Sequence, residues 1–303
     1  MTRTEEFQEL RPLLFAIAYR ILGSVTEAED ALQDTWLRWQ AVATRPVSTK
    51  AYLSAVVTRV SVDVLRSARQ RREEYVGPWF PEPLLDDPYQ DPERAAELSD
   101  SVSMAALVLL ERLSPLERAV FVLREVFGFS FTEIADAVER SETACRQLAV
   151  RARRHMAAGR PRFEADTKER ERLADRFFDA FMAGDVDSLR QLLAADVQMI
   201  GDSGGKAPLF ASEIAGREHA VPVIALVADR FARAGVRFEA HPVNGRPGGV
   251  FRDPEGQVLS TVTVDIEDGR IRTIRSVVNP DKLGHLGPVA DAWALGREAS
   301  GVE

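Results

Sequence analysis

Cysteine is almost missing from this chain: Cys145 is the single one in 303 residues. One thiol cannot make an intramolecular disulfide or a cysteine-rich zinc site. Histidine is also sparse, and His155, His219, His241 and His285 are scattered without metal-ligand spacing. No apolar run approaches the ~20 residues that a membrane-spanning helix needs. The acidic, polar stretch Met1–Leu10 does not read as a signal peptide. A reducing cytoplasm is therefore the expected compartment. An excess of positive charge is missing too. The formal net charge is −8, which argues against a protein that coats nucleic acid through bulk electrostatics.

What is present is a globular composition, 45% hydrophobic and 28% charged, at a length that suits two or three domains. The basic residues are clustered. Arg66, Arg69, Arg71 and Arg72 form one group, and Arg146, Arg151, Arg153, Arg154, Arg160 and Arg162 form another. An acidic, proline-bearing stretch separates them. Local basic patches on an acidic chain suit binding to nucleic acid at defined points, with something else supplying the affinity.

Helical spacing runs through Leu10, Leu13, Leu14, Ile17, Ala18 and Ile21, and Gly23 ends that helix. Thr26 with Glu29 reads as a capping box for a second helix bearing Leu32, Trp36 and Trp39. A third runs from about Thr49 to Arg71. Pro78, Pro81, Pro83, Pro88 and Pro92 then exclude helix, and a helix resumes near Arg94. Ser114-Pro115-Leu116-Glu117 and Ser130 with Glu133 are helix starts. Beyond Gly159-Arg160-Pro161, helices are expected over Asp166–Ala183, Val186–Ala194 and Glu218–Ala234. Strands are expected over Val197–Gly201, Val236–Val243, Gly249–Arg252, Val258–Glu267 and Arg270–Val278, the last two joined by an Asp268-Gly269 hairpin turn. That order predicts an α+β domain with helices on one curved, antiparallel sheet.

Phe131–Val138 and Glu142–Met156, separated by Glu139-Arg140-Ser141, have helix-turn-helix length. The second helix buries Ala144, Cys145, Leu148, Ala149 and Ala152 and presents Thr143, Arg146, Gln147 and Arg151. Arg and Gln there suit base edges in a major groove, each good bidentate pair discriminating by roughly 1–3 kcal/mol. Arg153 and Arg154, a turn later, suit phosphates. The turn has no glycine, so Glu139 or Arg140 must take positive φ. Cys145 is read as core packing, not as a redox sensor.

Several ordered motifs carry a family resemblance. Tyr19-Arg20-Ile21-Leu22-Gly23, Ala28–Arg38, Ala51-Tyr52-Leu53 and Val62–Arg66 resemble region 2 of extracytoplasmic-function sigma factors, and Leu113–His155 resembles their region 4. The resemblance implies promoter recognition on behalf of core RNA polymerase. It implies docking on the clamp helices of the largest subunit through Asp30, Gln33, Asp34 and Trp36, and contact with the flap. It gives the −10 element to Arg59, Arg66, Arg69 and Arg72, with Arg59 standing where the family commonly has Asn. The −35 element falls to Thr143, Arg146, Gln147, Arg151 and Arg154. No cofactor, metal, catalytic residue or membrane is implied.

The last third resembles SnoaL-like domains of the nuclear-transport-factor-2 superfamily, on Phe177–Asp185 and Leu192–Val197. One sigma group, the SigJ type, carries such an extension together with three motifs. They stand here as Trp79-Phe80-Pro81-Glu82-Pro83, Asp202-Ser203-Gly204-Gly205-Lys206, with Ser203 where glycine is usual, and Asn279-Pro280-Asp281-Lys282-Leu283. The expected organisation is region 2 at 1–76, a linker at 77–104, region 4 at 105–160, a cone-shaped α+β SnoaL-like domain at 166–283 and a loose tail at 284–303. Trp79, Pro81, Asp202, Asn279, Asp281 and Lys282 become candidates for regulation in cis, with Trp79 docking near Asn279–Leu283. A small hydrophobic ligand is a candidate for the cavity of that domain. Two alternatives stand beside this reading. One is a stand-alone DNA-binding regulator. The other is a bifunctional protein whose SnoaL-like domain is an enzyme, with Asp202 and His219 as candidate acid or base.

Overall fold

The computed structural model describes residues 2–72, 75–89, 95–157, 167–209 and 211–294. The chain forms two compact units. One comprises Met1–Glu74 and Asp87–Pro161; the other comprises Tyr75–Asp86 and Arg162–Glu303.

The first unit is all helical. α1 (Arg3–Leu22) starts at a Thr2/Glu5 capping box and stops at Gly23, whose φ of 72° gives the left-handed turn. α2 (Val25–Gln40) is capped by Ser24, not by the expected Thr26/Glu29 box. Thr26 lies inside the helix, and Glu29 pairs with Arg11 across to α1. α3 (Thr49–Arg72) packs on both. Leu14, Ile17, Ile21, Trp39, Leu53 and Val57 form the shared core.

α4 (Ala95–Val102) and α5 (Met104–Leu110) follow. α6 (Pro115–Phe121) begins at the Ser114/Glu117 box and runs into a π-helical turn, Val122–Val126. α7 (Phe131–Val138) begins at the Ser130/Glu133 box, and α8 (Glu142–Ala157) is capped by the Ser141 hydroxyl, which accepts from the Ala144 amide at 3.2 Å. Glu139 is the residue that takes positive φ, at 54°.

Two arginines lie in the core of this unit. Arg20 is fully buried, with its guanidinium donating to Asp87 at 2.8 Å, Ser101 at 2.9 Å and the carbonyls of Ala16 and Leu98 at 3.2 Å. Arg118, 1% exposed, donates to the Arg20 carbonyl at 2.9 Å and pairs with Glu111. Buried guanidinium groups are tolerated only when paired and hydrogen-bonded. This polar seam joins α1, α4 and α6, and a reading of apolar periodicity passes over it.

The second unit is α+β, as expected. α9 (Thr167–Ala183), α10 (Val186–Leu192) and α11 (Arg217–Arg233) pack on one face of a six-stranded sheet. Its strands are β1 (Leu193–Asp202), β2 (Glu213–Ala215), β3 (Arg237–Ala240), β4 (Gly248–Arg252), β5 (Val258–Glu267) and β6 (Arg270–Val277), in the order β2-β1-β6-β5-β4-β3. The sheet is mixed and not purely antiparallel, because β1 pairs with β6 in parallel. The expected helix ends two residues early, at Leu192, and β1 claims Leu193 onward. β2 has three residues, too few for an alternation signal to register. Asp268 and Gly269 have φ of 51° and 67° and make the predicted hairpin turn.

β5 is buried along both faces. Val262, Val264 and Ile266 enter the core under the helices, while Thr261, Thr263 and Asp265 are buried on the opposite side, where Asp265 pairs with Arg275. The expected loose tail is packed as far as residue 294. His285 Nε2 lies 2.7 Å from the Pro83 carbonyl, Val289 bridges Val258, Ala290 is in the core, and Trp293 Nε1 donates to the Lys206 carbonyl at 3.1 Å.

The Ser114 and Ser130 caps each satisfy a helix amide that would otherwise be orphaned. Ser114→Ala and Ser130→Ala should each lower stability by about 1 kcal/mol, measured as the shift in urea unfolding followed by circular dichroism. An unchanged midpoint would show that the boxes contribute nothing.

Candidate functional sites

Helix α2 turns Asp30, Gln33, Asp34 and Leu37 to solvent, at the i, i+3, i+4, i+7 spacing of one face. Leu37 is 56% exposed, and the stripe Leu32, Trp36 and Trp39 read from the sequence did not single it out. Trp36 is half-buried and leans on Phe7, with ring centroids 5.0 Å apart. Among the described residues neither Asp30 nor Asp34 is ion-paired. An acidic stripe around one exposed apolar side chain suits a basic helical partner.

On α3, Arg59 is half-buried and donates to Glu139 at 3.2 Å, and the exposed Arg66 pairs with Asp63. The side chains of Arg69 and Arg72 lie outside the described residues.

On α8, Thr143, Arg146, Gln147, Arg151 and Arg154 all face solvent, opposite the buried Cys145, Leu148, Ala149 and Ala152. Ala144, expected among the buried residues, is only half-buried. Carboxylates orient three of the arginines. Arg146 pairs with Glu142 at 3.0 Å and stacks over Phe131 at 4.5 Å, Arg151 pairs with Glu117 at 2.8 Å, and Arg153 with Glu125 at 3.0 Å. Hydrogen bonds from Thr132 and Arg146 hold the Glu142 carboxyl below the usual range. Burial raises the Cys145 thiol, helped by nearby Glu142, so thiolate is disfavoured.

In the second unit the segment Tyr75–Asp86 is bound to the α+β domain. Asp202, fully buried at the end of β1, accepts from the Phe80 amide at 2.7 Å, from Lys282 Nζ at 2.7 Å and from the Tyr75 hydroxyl. Lys282 also donates to the Phe80 carbonyl, and its ammonium sits 4.3 Å from the Trp79 ring centre and 4.7 Å from that of Tyr75. Asn279 donates to the Tyr75 hydroxyl at 2.7 Å and accepts from the Asp281 amide at 3.1 Å. Asp281 itself is exposed and pairs with Lys206. Pro81 is buried and Trp79 half-buried. Further along, Leu84 and Asn244 exchange two hydrogen bonds, Leu84 amide to Asn244 Oδ1 at 3.1 Å and Asn244 amide to the Leu84 carbonyl at 2.7 Å.

Of the six candidates for cis regulation, five meet here: Trp79, Pro81, Asp202, Asn279 and Lys282. Tyr75 and Asn244 were missed. Asn244-Gly245, with φ of 53° and 64°, was a readable turn signal; Tyr75 offered none. Gly204 has φ +55°, and a Cβ there would lie 2.5 Å from Asn279 Nδ2 and 2.9 Å from the Tyr75 hydroxyl. Only glycine fits beside this contact.

A cavity of about 230 Å³ lies between the helices and the inner sheet face. Phe177, Phe181, Met199, Phe231 and Phe251 make most of its wall, and Arg230, Ser260 and Ser276 are its polar members. Asp202 is not in that wall. By strand alternation it points to the opposite sheet face. His219 is exposed, with Nδ1 3.0 Å from the Ala215 carbonyl. The two side chains proposed as cavity acid or base are therefore elsewhere.

Burial, followed by the bond to Asp202, raises the Tyr75 hydroxyl above the ordinary tyrosine value. The docked segment should be fully stable below pH ~10 and loosen as pH climbs through the raised value. Trp79 fluorescence during alkaline titration should report this, and Tyr75→Phe should flatten the response. Gly204→Ala should expose residues 75–86 to limited proteolysis at neutral pH. A protected segment in that variant would show the close approach to be dispensable.

Family models match the chain as Sigma-70 region 2 over residues 7–72 and Sigma-70 region 4 over residues 103–156. The ECF RNA polymerase sigma factor SigJ of Mycobacterium tuberculosis is 36% identical over 289 residues, 92% of each chain. The probable ECF sigma factor SigI of the same species is 30% identical over 287 residues, 91% of this chain and 93% of that one. The crystal structure of SigJ superposes with a TM-score of 0.69 at 31% identity, covering 93% of this chain and 98% of the other. With two helical sigma regions followed by an α+β extension along nearly its full length, the chain belongs to the extracytoplasmic-function sigma factors of RNA polymerase.

Proposed function

We propose that this sigma factor directs core RNA polymerase to promoters through two separate DNA-reading helices and is regulated in cis by its own C-terminal domain. The observation that carries the first part is the one-sided α8. All five side chains assigned to the −35 element are exposed on it, while the small apolar residues are buried. α3 supplies Arg59, Arg66, Arg69 and Arg72 to the −10 element. The acidic face of α2 suits the clamp helices of the largest polymerase subunit, and region 4 suits the flap. Polymerase then supplies the affinity that a chain of net charge −8 lacks. The place of action is the cytoplasm.

The observation behind regulation is the buried Asp202–Lys282 pair, which closes on the backbone of Phe80. A segment held by a desolvated charge pair is either fully docked or released, because half-docking strands a buried charge. The cavity suits a small hydrophobic molecule, being larger than the ~150 Å³ that holds benzene in an apolar core. Such a ligand would alter activity only through different affinity for the docked and released states. With no carboxylate or histidine among the described residues of its wall, the cavity is read as a binding site and not as an enzyme active site.

In vitro transcription with core polymerase tests both parts. The full chain should give promoter-specific transcripts, and Asp30→Ala/Asp34→Ala should reduce them about tenfold or more, as expected for loss of interface hot spots worth ~1.4 kcal/mol in total. A chain truncated after Arg162 should differ from the full chain in yield or in promoter preference. No specific transcript from either form would sink the sigma reading, and identical behaviour of the two would sink the regulatory one.

A further inference from the structure

The side chain of Arg59, given above to the −10 element, is held by Glu139 at the helix-turn-helix. α3 packs directly against α7. Near the other end of that packing, the Lys50 ammonium at the start of α3 sits 5.9 Å from the centre of the Phe129 ring just before α7. Glu139 is also an unusual occupant of its site. Its φ of 54° and ψ of 50° are left-handed, a conformation that favours glycine or asparagine. A glutamate at such a position brings a carboxylate to the turn beside Arg59.

This contact is incompatible with reading two promoter elements at once. Elements centred about 25 base pairs apart lie roughly 85 Å apart along B-DNA at ~3.4 Å per pair. Two touching domains of 50–70 residues, each with a radius of gyration of about 10 Å, cannot span that distance. α3 and α7 have to part before α3 and α8 can both engage DNA.

We propose that Glu139 is an internal acceptor that occupies Arg59 in the DNA-free chain and closes the helix-turn-helix onto the promoter-reading helix. The −10 contact then becomes available only when the two regions separate. This rests on the reading of α3 and α8 as the two promoter helices. Glu139 competes with DNA for the same guanidinium. An exposed pair is weak and salt-screened, so it biases the closed state without trapping it. The buried Arg118-to-Arg20 hydrogen bond lies at the same junction and is the stronger tie.

The test uses the full chain labelled with a dye pair at Gln40→Cys and Ala157→Cys, both exposed, with Cys145 buried and unreactive. Single-molecule energy transfer at low salt reads the open and closed populations. Glu139→Gly and Glu139→Arg should raise the open-to-closed ratio about two- to fivefold, and 0.5 M salt should remove the difference from the parent. Arg59→Glu combined with Glu139→Arg should restore the parental ratio. Glu139→Gly relieves backbone strain, so its thermal midpoint should not fall, which separates opening from unfolding. Open-complex formation by polymerase carrying the Glu139→Gly chain should be faster by a similar factor. Unchanged distances in both single variants, or no restoration in the double variant, overturn the ion pair as the closing contact. A shifted population with unchanged open-complex rates overturns the competition with DNA.

Discussion

A lysine and an aspartate buried together organise the second unit. Asp202 and Lys282 are far apart in sequence, one at the end of β1 and the other on the helical turn Pro280–Lys282 that follows β6, and the parallel pairing of those strands brings them together. Neither charge can remain buried alone, since an isolated ion in a low-dielectric interior costs several kcal/mol. They are satisfied by each other and by both backbone polar groups of one residue, the amide and carbonyl of Phe80. The linker backbone is thus the third member of a network that the domain cannot complete by itself. The aromatic rings of Trp79 and Tyr75 then cover the ammonium and exclude water from it.

The first unit uses the same chemistry at a different place. Arg20 and Arg118 are buried where α1, α4 and α6 meet, and their donors go largely to backbone carbonyls and to Asp87, Ser101 and Glu111. Apolar packing builds each small core, whereas polar atoms with directional demands fix how neighbouring elements meet. A polar junction can be hydrated when it opens, which an apolar one resists. That distinction suits the parting of α3 from α7 proposed above.

Much of this was legible in the sequence. The boxes at Ser114/Glu117 and Ser130/Glu133, the Asp268-Gly269 turn and the length of α3 depend on local chemistry, and local chemistry is written in adjacent residues. Capping of α2 was misplaced by two residues because Thr26/Glu29 and Ser24/Glu27 both satisfy the same pattern, and only packing chooses between them. The parallel β1–β6 pairing, the three-residue β2 and the packing of residues 284–294 depend on partners distant in sequence. The exposed site residues of α8 followed from helical periodicity, because burial of Cys145, Leu148 and Ala152 dictates what faces outward. Tyr75 and Leu37 could not be found that way. One is defined by a carboxylate 127 residues away, and the other by how much of its surface the fold leaves open. Asp202 was visible as a motif residue, but the choice between cavity acid and linker anchor depends on which sheet face it occupies.

The docked segment also sets how much rope joins the two sigma regions. The chain between Arg72 and Ala95 contains 22 residues, which at about 3.4 Å each could stretch to roughly 75 Å. Tyr75–Asp86, more than half of that length, is pinned to the α+β domain at Asp202 near one end and Asn244 near the other. Pinning takes those residues out of the length that the two sigma regions can draw on. Release returns the slack. On the regulation proposed above, the C-terminal domain works as a winch on a tether as well as a fold attached to its end, and the distances over which α3 and α8 can search are set by whether the backbone of Phe80 stays in its grip.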